Sequence, residues 1–170
     1  MRILASAAAL ILLISAGGCS APVDLKQALQ LTDVTSGYFD AGIVDGKNKL
    51  VPSVSFRVKK SVDASLRPLS VNVSFKQLPP AGTPVAPGSP AESEWDEVFL
   101  QSVPFEGNQS APLTFKAKNG YTGDPPQSRA DMLKNRYFQD VRVHVFAKHS
   151  ASQWVEIATL ELPRQLLLAH

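Results

Sequence analysis

Strict alternation of apolar and polar residues constrains this chain more than anything else in it. Val54, Phe56 and Val58 alternate with Ser55, Arg57 and Lys59. Leu69, Val71, Val73 and Phe75 alternate with Ser70, Asn72 and Ser74, and Val141, Val143 and Val145 alternate with Arg142 and His144. Successive strand residues point to opposite faces, so a period of two in β-branched and aromatic residues marks a strand with one dry and one wet face. Strands of parallel sheets are covered on both faces and read as continuous apolar runs, so these belong to antiparallel sheets.

Around the clear strands at 51–60, 69–78 and 139–149, weaker ones fit at 29–35, 94–103, 112–118 and 153–162. The last forms a hairpin with 139–149 through Ser150–Ser152, and Pro163 ends it. Gly37–Lys49 and Asn119–Gln127 are rich in turn formers and read as loops. Residues 79–93 form a proline-rich loop, because proline has no ladder donor and a fixed φ. Ser128 followed by RADMLKNR, with Asp131 three residues on, predicts a short capped helix before the penultimate strand. The expected fold is all-β: an antiparallel, immunoglobulin-like two-sheet sandwich of about seven strands, with a closed barrel as the competitor. The cysteine–tryptophan–cysteine framework of antibody domains is absent, since the chain has one cysteine.

That cysteine sits at the end of a distinctive start. Arg2 is followed by an uncharged stretch from Ile3 to Ser15, then by Ala16-Gly17-Gly18-Cys19. A positive start, a short apolar middle and a small-residue exit describe a secretory signal peptide. As a helix, residues 3–18 would reach only about 24 Å, short of the ~30 Å hydrocarbon core that a spanning segment must cross. The segment resembles the lipobox of bacterial lipoproteins, with Ala16 standing where leucine is usual. The resemblance implies cleavage before Cys19, diacylglycerol on its sulfur and acylation of the new amino terminus. Residues 1–18 are then signal, 19–27 a lipidated tether, and 28–170 a thiol-free domain without disulfides. Ser20 does not resemble the aspartate retention signal of some enteric lipoproteins, which points to the periplasmic face of the outer membrane in a Gram-negative cell.

Residues 54–75 (VSFRVKKSVDASLRPLSVNVSF) resemble the central hairpin of FxLYD-like and related bacterial immunoglobulin-like lipoprotein domains. Such domains are mostly interaction modules, so the resemblance brings no catalytic residues with it.

Charge excludes one class of partner. Of the 17 Lys and Arg only Arg2 precedes Cys19, which leaves near balance with the 15 Asp and Glu. Nucleic-acid binding needs a concentrated basic face, and none is indicated. The histidines, His144, His149 and His170, form no closely spaced ligand pair, and an odd separation puts His144 and His149 on opposite strand faces. Asp40, Asp45 and Asn48 raise the question of calcium, but their spacing is wide and turn chemistry accounts for them as well. No G-x-S-x-G, S-x-x-K or H-E-x-x-H motif occurs. Glu94 and Asp96, beside Trp95 and Glu97, would point the same way on a regular strand, about 7 Å apart. Trp95 and Trp154 read as sheet packing. No catalytic residue, metal site or cofactor is expected.

The candidate binding loops are 37–40, carrying Tyr38, Phe39 and Asp40, and 119–123, carrying Tyr121. Aromatic tips beside glycine suit recognition at a sandwich end, although packing of Tyr38 and Phe39 into the core rim is the favoured reading. The expected function is a non-enzymatic interaction or assembly module, bound to a membrane through acyl chains on Cys19 and to an envelope protein partner. A lipoprotein holding a small hydrophobic ligand or lipid is the alternative, with an envelope hydrolase the third reading.

Overall fold

A computed structural model of the chain describes residues 23–167 apart from 62–65, 81, 85, 87 and 101. Cys19, His170 and the signal segment lie outside the described residues. Two helices and eleven strands occur among those described: α1 (Leu25–Ala28), β1 (Leu29–Val44), β2 (Lys47–Lys60), β3 (Leu69–Gln77), β4 (Ser93–Leu100), β5 (Phe105–Glu106), β6 (Gln109–Ser110), β7 (Leu113–Lys116), β8 (Tyr121–Gly123), α2 (Arg129–Lys134), β9 (Val141–His149), β10 (Val155–Glu161) and β11 (Leu166–Leu167). One sheet runs β11-β1-β2-β6-β5, with β7 and β8 also on β2; the other runs β10-β9-β3-β4. All pairs are antiparallel except β11 on β1. The fold is a two-sheet antiparallel β-sandwich.

The alternating residues of both sheets meet between the layers. Val54 and Val58 from β2, Val71, Val73 and Phe75 from β3, and Val141, Val143 and Val145 from β9 have no solvent exposure. Phe56 stacks on Phe115 of β7 at 5.3 Å. Burial of a side chain of this size contributes about 1.5–3 kcal/mol, so this layer carries the fold without covalent staples.

The expected hairpin over residues 54–75 does not form: β2 and β3 lie in opposite sheets. Both edges of β2 are already occupied, by β1 on one side and by β6, β7 and β8 on the other. Alternation states which face is buried and does not name the neighbour.

Residues 37–49 are not a loop either. β1 and β2 form one long hairpin closed by Asp45-Gly46, with φ of 52° and 76°. Two successive positive φ values match the right-handed strand twist, which is why Asp-Gly is favoured there. The turn formers upstream mark bulges. Asp33 has φ 52°, and the Asp40 carboxylate accepts from the Gly42 amide at 2.8 Å, where the register shifts. The loop at 119–127 likewise contains β8, which continues the ladder on β2.

The Ser128 hydroxyl caps α2 by accepting from the Asp131 amide. The proline-rich segment lies between β3 and β4, and among its described residues only Ser93, the first residue of β4, is in a strand. Asp24 caps α1, and Leu25 and Ala28 are buried in the core, so the domain begins near residue 24.

Candidate functional site

The residues expected at loop tips take different roles. Tyr38 is fully buried in the middle of β1. Its ring packs edge-on against Phe138 at 4.9 Å and Tyr121 at 6.2 Å. Its hydroxyl has no hydrogen-bond partner among the described residues, and burial pushes the phenol well above its ordinary range. Phe39 lies half-buried under the Lys116 ammonium, 3.3 Å from the ring centroid. Asp40 pairs with Arg129 at 3.0 Å, and Arg129 also donates to the Asn48 side chain. Two of the three residues that raised the calcium question, Asp40 and Asn48, thus turn their oxygens toward a guanidinium, and Asn48 donates in turn to the Gln127 carbonyl. Tyr121 donates to the Gln139 carbonyl at 2.6 Å and accepts from Gln77 at 3.3 Å, and burial raises its phenol.

Two acids on β4 separate in the same way. A register shift opposite Phe75 and Lys76 places Glu94 across from Lys76 and Asp96 across from Phe75, hence on opposite faces. Glu94 pairs with Lys76 at 2.9 Å and accepts from Ser74. Asp96 turns toward the 117–120 loop and accepts from the amides of Lys118 and Asn119. The bulge between them brings Trp95 to the rim.

Trp95 forms one wall of a groove of about 330 Å³ at the end of the sandwich marked by the Asp45-Gly46 turn. Its ring rests on Tyr121, with centroids 5.0 Å apart, and its carbonyl accepts from the Asn119 side chain at 2.8 Å. The opposite wall is the hairpin tip, with Val44, Asp45, Lys47 and Lys49. Lys49 donates to the Lys118 carbonyl at 2.9 Å, and Lys47 lies 3.5 Å from Asp124. Gly120 forms part of the lining, where a Cβ would lie 2.4 Å from the Leu50 carbonyl oxygen. Only glycine lets the loop backbone approach β2 so closely. The lining combines one aromatic face, both charge signs and amide groups. It can pack against an apolar side chain while exchanging hydrogen bonds with polar backbone.

A second cluster occupies the outer face of the β10-β9-β3-β4 sheet. His144 places Nε2 2.9 Å from Glu92 and Nδ1 3.2 Å from Glu156, while Arg142 pairs with Glu92 and Glu161. Burial pushes the Glu92 carboxyl up, but hydrogen bonds from Arg142 and His144 outweigh it and hold the group below its ordinary range. Hydrogen bonding from Thr159 and His144 lowers Glu156, and Lys76 lowers Glu94. Both imidazole nitrogens are engaged, so the ring has none to offer a substrate. Among the described residues no group of three or more His, Cys, Asp or Glu is arranged to hold a metal ion. His149 lies near the β9–β10 turn, apart from His144.

The sequence reading does not bring the 44–49 turn to the 119–122 loop, nor Trp95 to both. The Asp-Gly pair is the signal that would have done so, since it fixes the hairpin tip. Trp154 packs edge-on against Phe99 at 5.5 Å on the outer sheet face. No helix among the described residues is long and apolar enough to cross a membrane. No family model matches the chain, and no curated protein or solved structure matches it.

Proposed function

We propose that this chain is a lipid-anchored cell-envelope protein whose β-sandwich acts as a non-enzymatic interaction module for an envelope protein partner. The observation that supports it is the placement of two features at opposite ends of β1. The strand begins at α1, where the chain arrives from Cys19, and ends at the turn that walls the Trp95 groove. Sixteen strand residues at about 3.3 Å each separate the two by roughly 50 Å. Acyl chains on Cys19 would confine the domain to a membrane surface, where the effective concentration toward neighbouring partners is high. The groove would then face away from the bilayer, at the outer membrane's periplasmic face in a Gram-negative cell. Its mixture of a tryptophan face, lysines and amides suits a polypeptide segment. The layer between the sheets is filled by unexposed valines and phenylalanines, which favours binding at the surface over a ligand held inside.

Two measurements test this. Cys19→Ser should move the protein out of the membrane fraction and remove the acyl mass from the mature amino terminus; unchanged fractionation and mass would refute the anchor. A photocrosslinking residue at Thr122 should capture a defined envelope protein in intact cells, and Trp95→Ala should abolish that adduct. Capture that ignores Trp95→Ala would exclude the groove.

A further inference from the structure

We propose that the end of the sandwich nearest Cys19 is a membrane-contact face that rests on the headgroups of an anionic phospholipid bilayer; this deepens, and rests on, the acylation proposed above. A chain of contacts defines that end. The Ser61 amide donates to the Ala28 carbonyl at 2.8 Å, the Lys60 amide to Asn108 at 2.7 Å and the Ser150 amide to Pro68 at 3.1 Å. Packing of α1 against β10 closes the circle. The start of β1, the end of β2, the β5–β6 hairpin and the β9–β10 turn therefore share one end of the molecule.

Length brings this end to the bilayer. Asp24, the cap of α1, is the fifth residue after Cys19, and five steps of extended chain span at most about 18 Å. An acylated Cys19 sits at the headgroup boundary, so α1 and its neighbours cannot stand far from it.

The exposed chemistry suits that position. Trp154 is 38 % and Phe99 51 % exposed. They pack against each other at the margin of the outer sheet face, and tryptophan settles at membrane–water interfaces. Lys148 lies over the Trp154 ring at 5.4 Å and Lys60 over Phe105 at 5.1 Å, while Arg67 donates to the Phe105 carbonyl. Lys26 and Lys59 are exposed close by. None of these five cations lies within ion-pair distance of a carboxylate among the described residues, although Lys26 acts on Glu156 at longer range. Cations outside ion-pair distance of a carboxylate, beside exposed aromatic rings and within a short tether of the lipid, complement an anionic surface.

The test uses the acylated, full-length protein in vesicles whose lipids carry bromine in the acyl chains near the headgroup, read by tryptophan quenching. The chain has two tryptophans, so Trp95→Phe reports Trp154 alone and Trp154→Phe reports Trp95. With phosphatidylglycerol present, Trp154 should be quenched and Trp95 should not. Lys26→Gln with Lys59→Gln should lower the docked-to-undocked ratio about 25-fold, roughly fivefold for each lysine, with the circular-dichroism spectrum unchanged. Unquenched Trp154 in protein that cosediments with the vesicles would overturn the contact face and leave the anchor standing. Equal quenching on phosphatidylcholine alone would overturn the anionic assignment. A chain with no acyl mass on Cys19 and no cosedimentation would overturn both.

Discussion

Replacing Tyr38 by phenylalanine should stabilise the domain. Removing a polar group from a core is usually destabilising because a hydrogen bond goes with it. Here the hydroxyl is buried with no partner among the described residues, so folding strips it of water and returns nothing. A buried polar group left without a partner costs about 1–3 kcal/mol. The substitution keeps the ring, and with it the edge-on contacts to Phe138 and Tyr121. Removing one oxygen leaves little void, so the expected gain is about 1 kcal/mol. For a domain of this size that corresponds to a rise in Tm of roughly 3–5 °C. Urea unfolding followed by circular dichroism gives the midpoint, with an unchanged slope required for the comparison. Alkaline difference absorbance supplies an independent check. One phenol in the native protein should stay protonated far above the ordinary tyrosine range, because burial raises it, and that resistant phenol should be missing from Tyr38→Phe. A loss of 1 kcal/mol or more would refute the reasoning, since it would mean that the hydroxyl has a partner worth about that much.

Gly120→Ala forces a methyl group to within 2.4 Å of the Leu50 carbonyl oxygen and should destabilise the domain by about 1–3 kcal/mol, read by urea unfolding. Asp96→Ala exchanges the carboxylate acceptor of the exposed Lys118 and Asn119 amides for water and should cost about 0.5–1.5 kcal/mol; a shift in Trp95 fluorescence should report the freed loop. The folded Glu92 carboxyl titrates below its ordinary value of 4.5, so its contribution is fully present above that pH and lost as pH falls through the lower folded value. Wild-type stability should therefore drop more steeply than that of Glu92→Gln below about pH 4.5; parallel curves would show that Glu92 is not the group responsible.

The part of the fold legible in the sequence was the part governed by burial parity. Each of the seven strands of four residues or more overlaps a segment marked by alternation or apolar content, although β1 and β2 also run through 37–49, and α2 begins at its serine cap, because these signals depend on neighbours within a few residues. Pairing was not legible. VSFRVKK and LSVNVSF are similar alternating strands close together in sequence, yet they face each other across the core. An inward valine satisfies the same pattern whether its partner strand lies beside it or opposite.

The candidate site was hidden by the same physics at finer scale. Parity arguments assume an unbroken count of two, and a single extra residue inverts every side chain beyond it. One such shift separates Glu94 from Asp96 and brings Trp95 to the rim, and two more lie along β1, before and after Tyr38. Reading Gly37–Lys49 as a loop followed from giving every glycine and aspartate there the same meaning. They differ: Gly42 sits in a bulge beside Asp40, while Asp45-Gly46 is the reversal itself. A two-residue Asp-Gly turn predicts a hairpin whose arms pair residue by residue outward from the tip, and Val44 opposite Lys47 is the first such pair. Applied consistently, that rule places Tyr38 deep within a strand and the Asp45 tip at the end of the sandwich, where the groove lies. Its third wall, the Asn119–Thr122 segment, still depends on Gly120 approaching Leu50, a contact between residues seventy apart that no local pattern encodes.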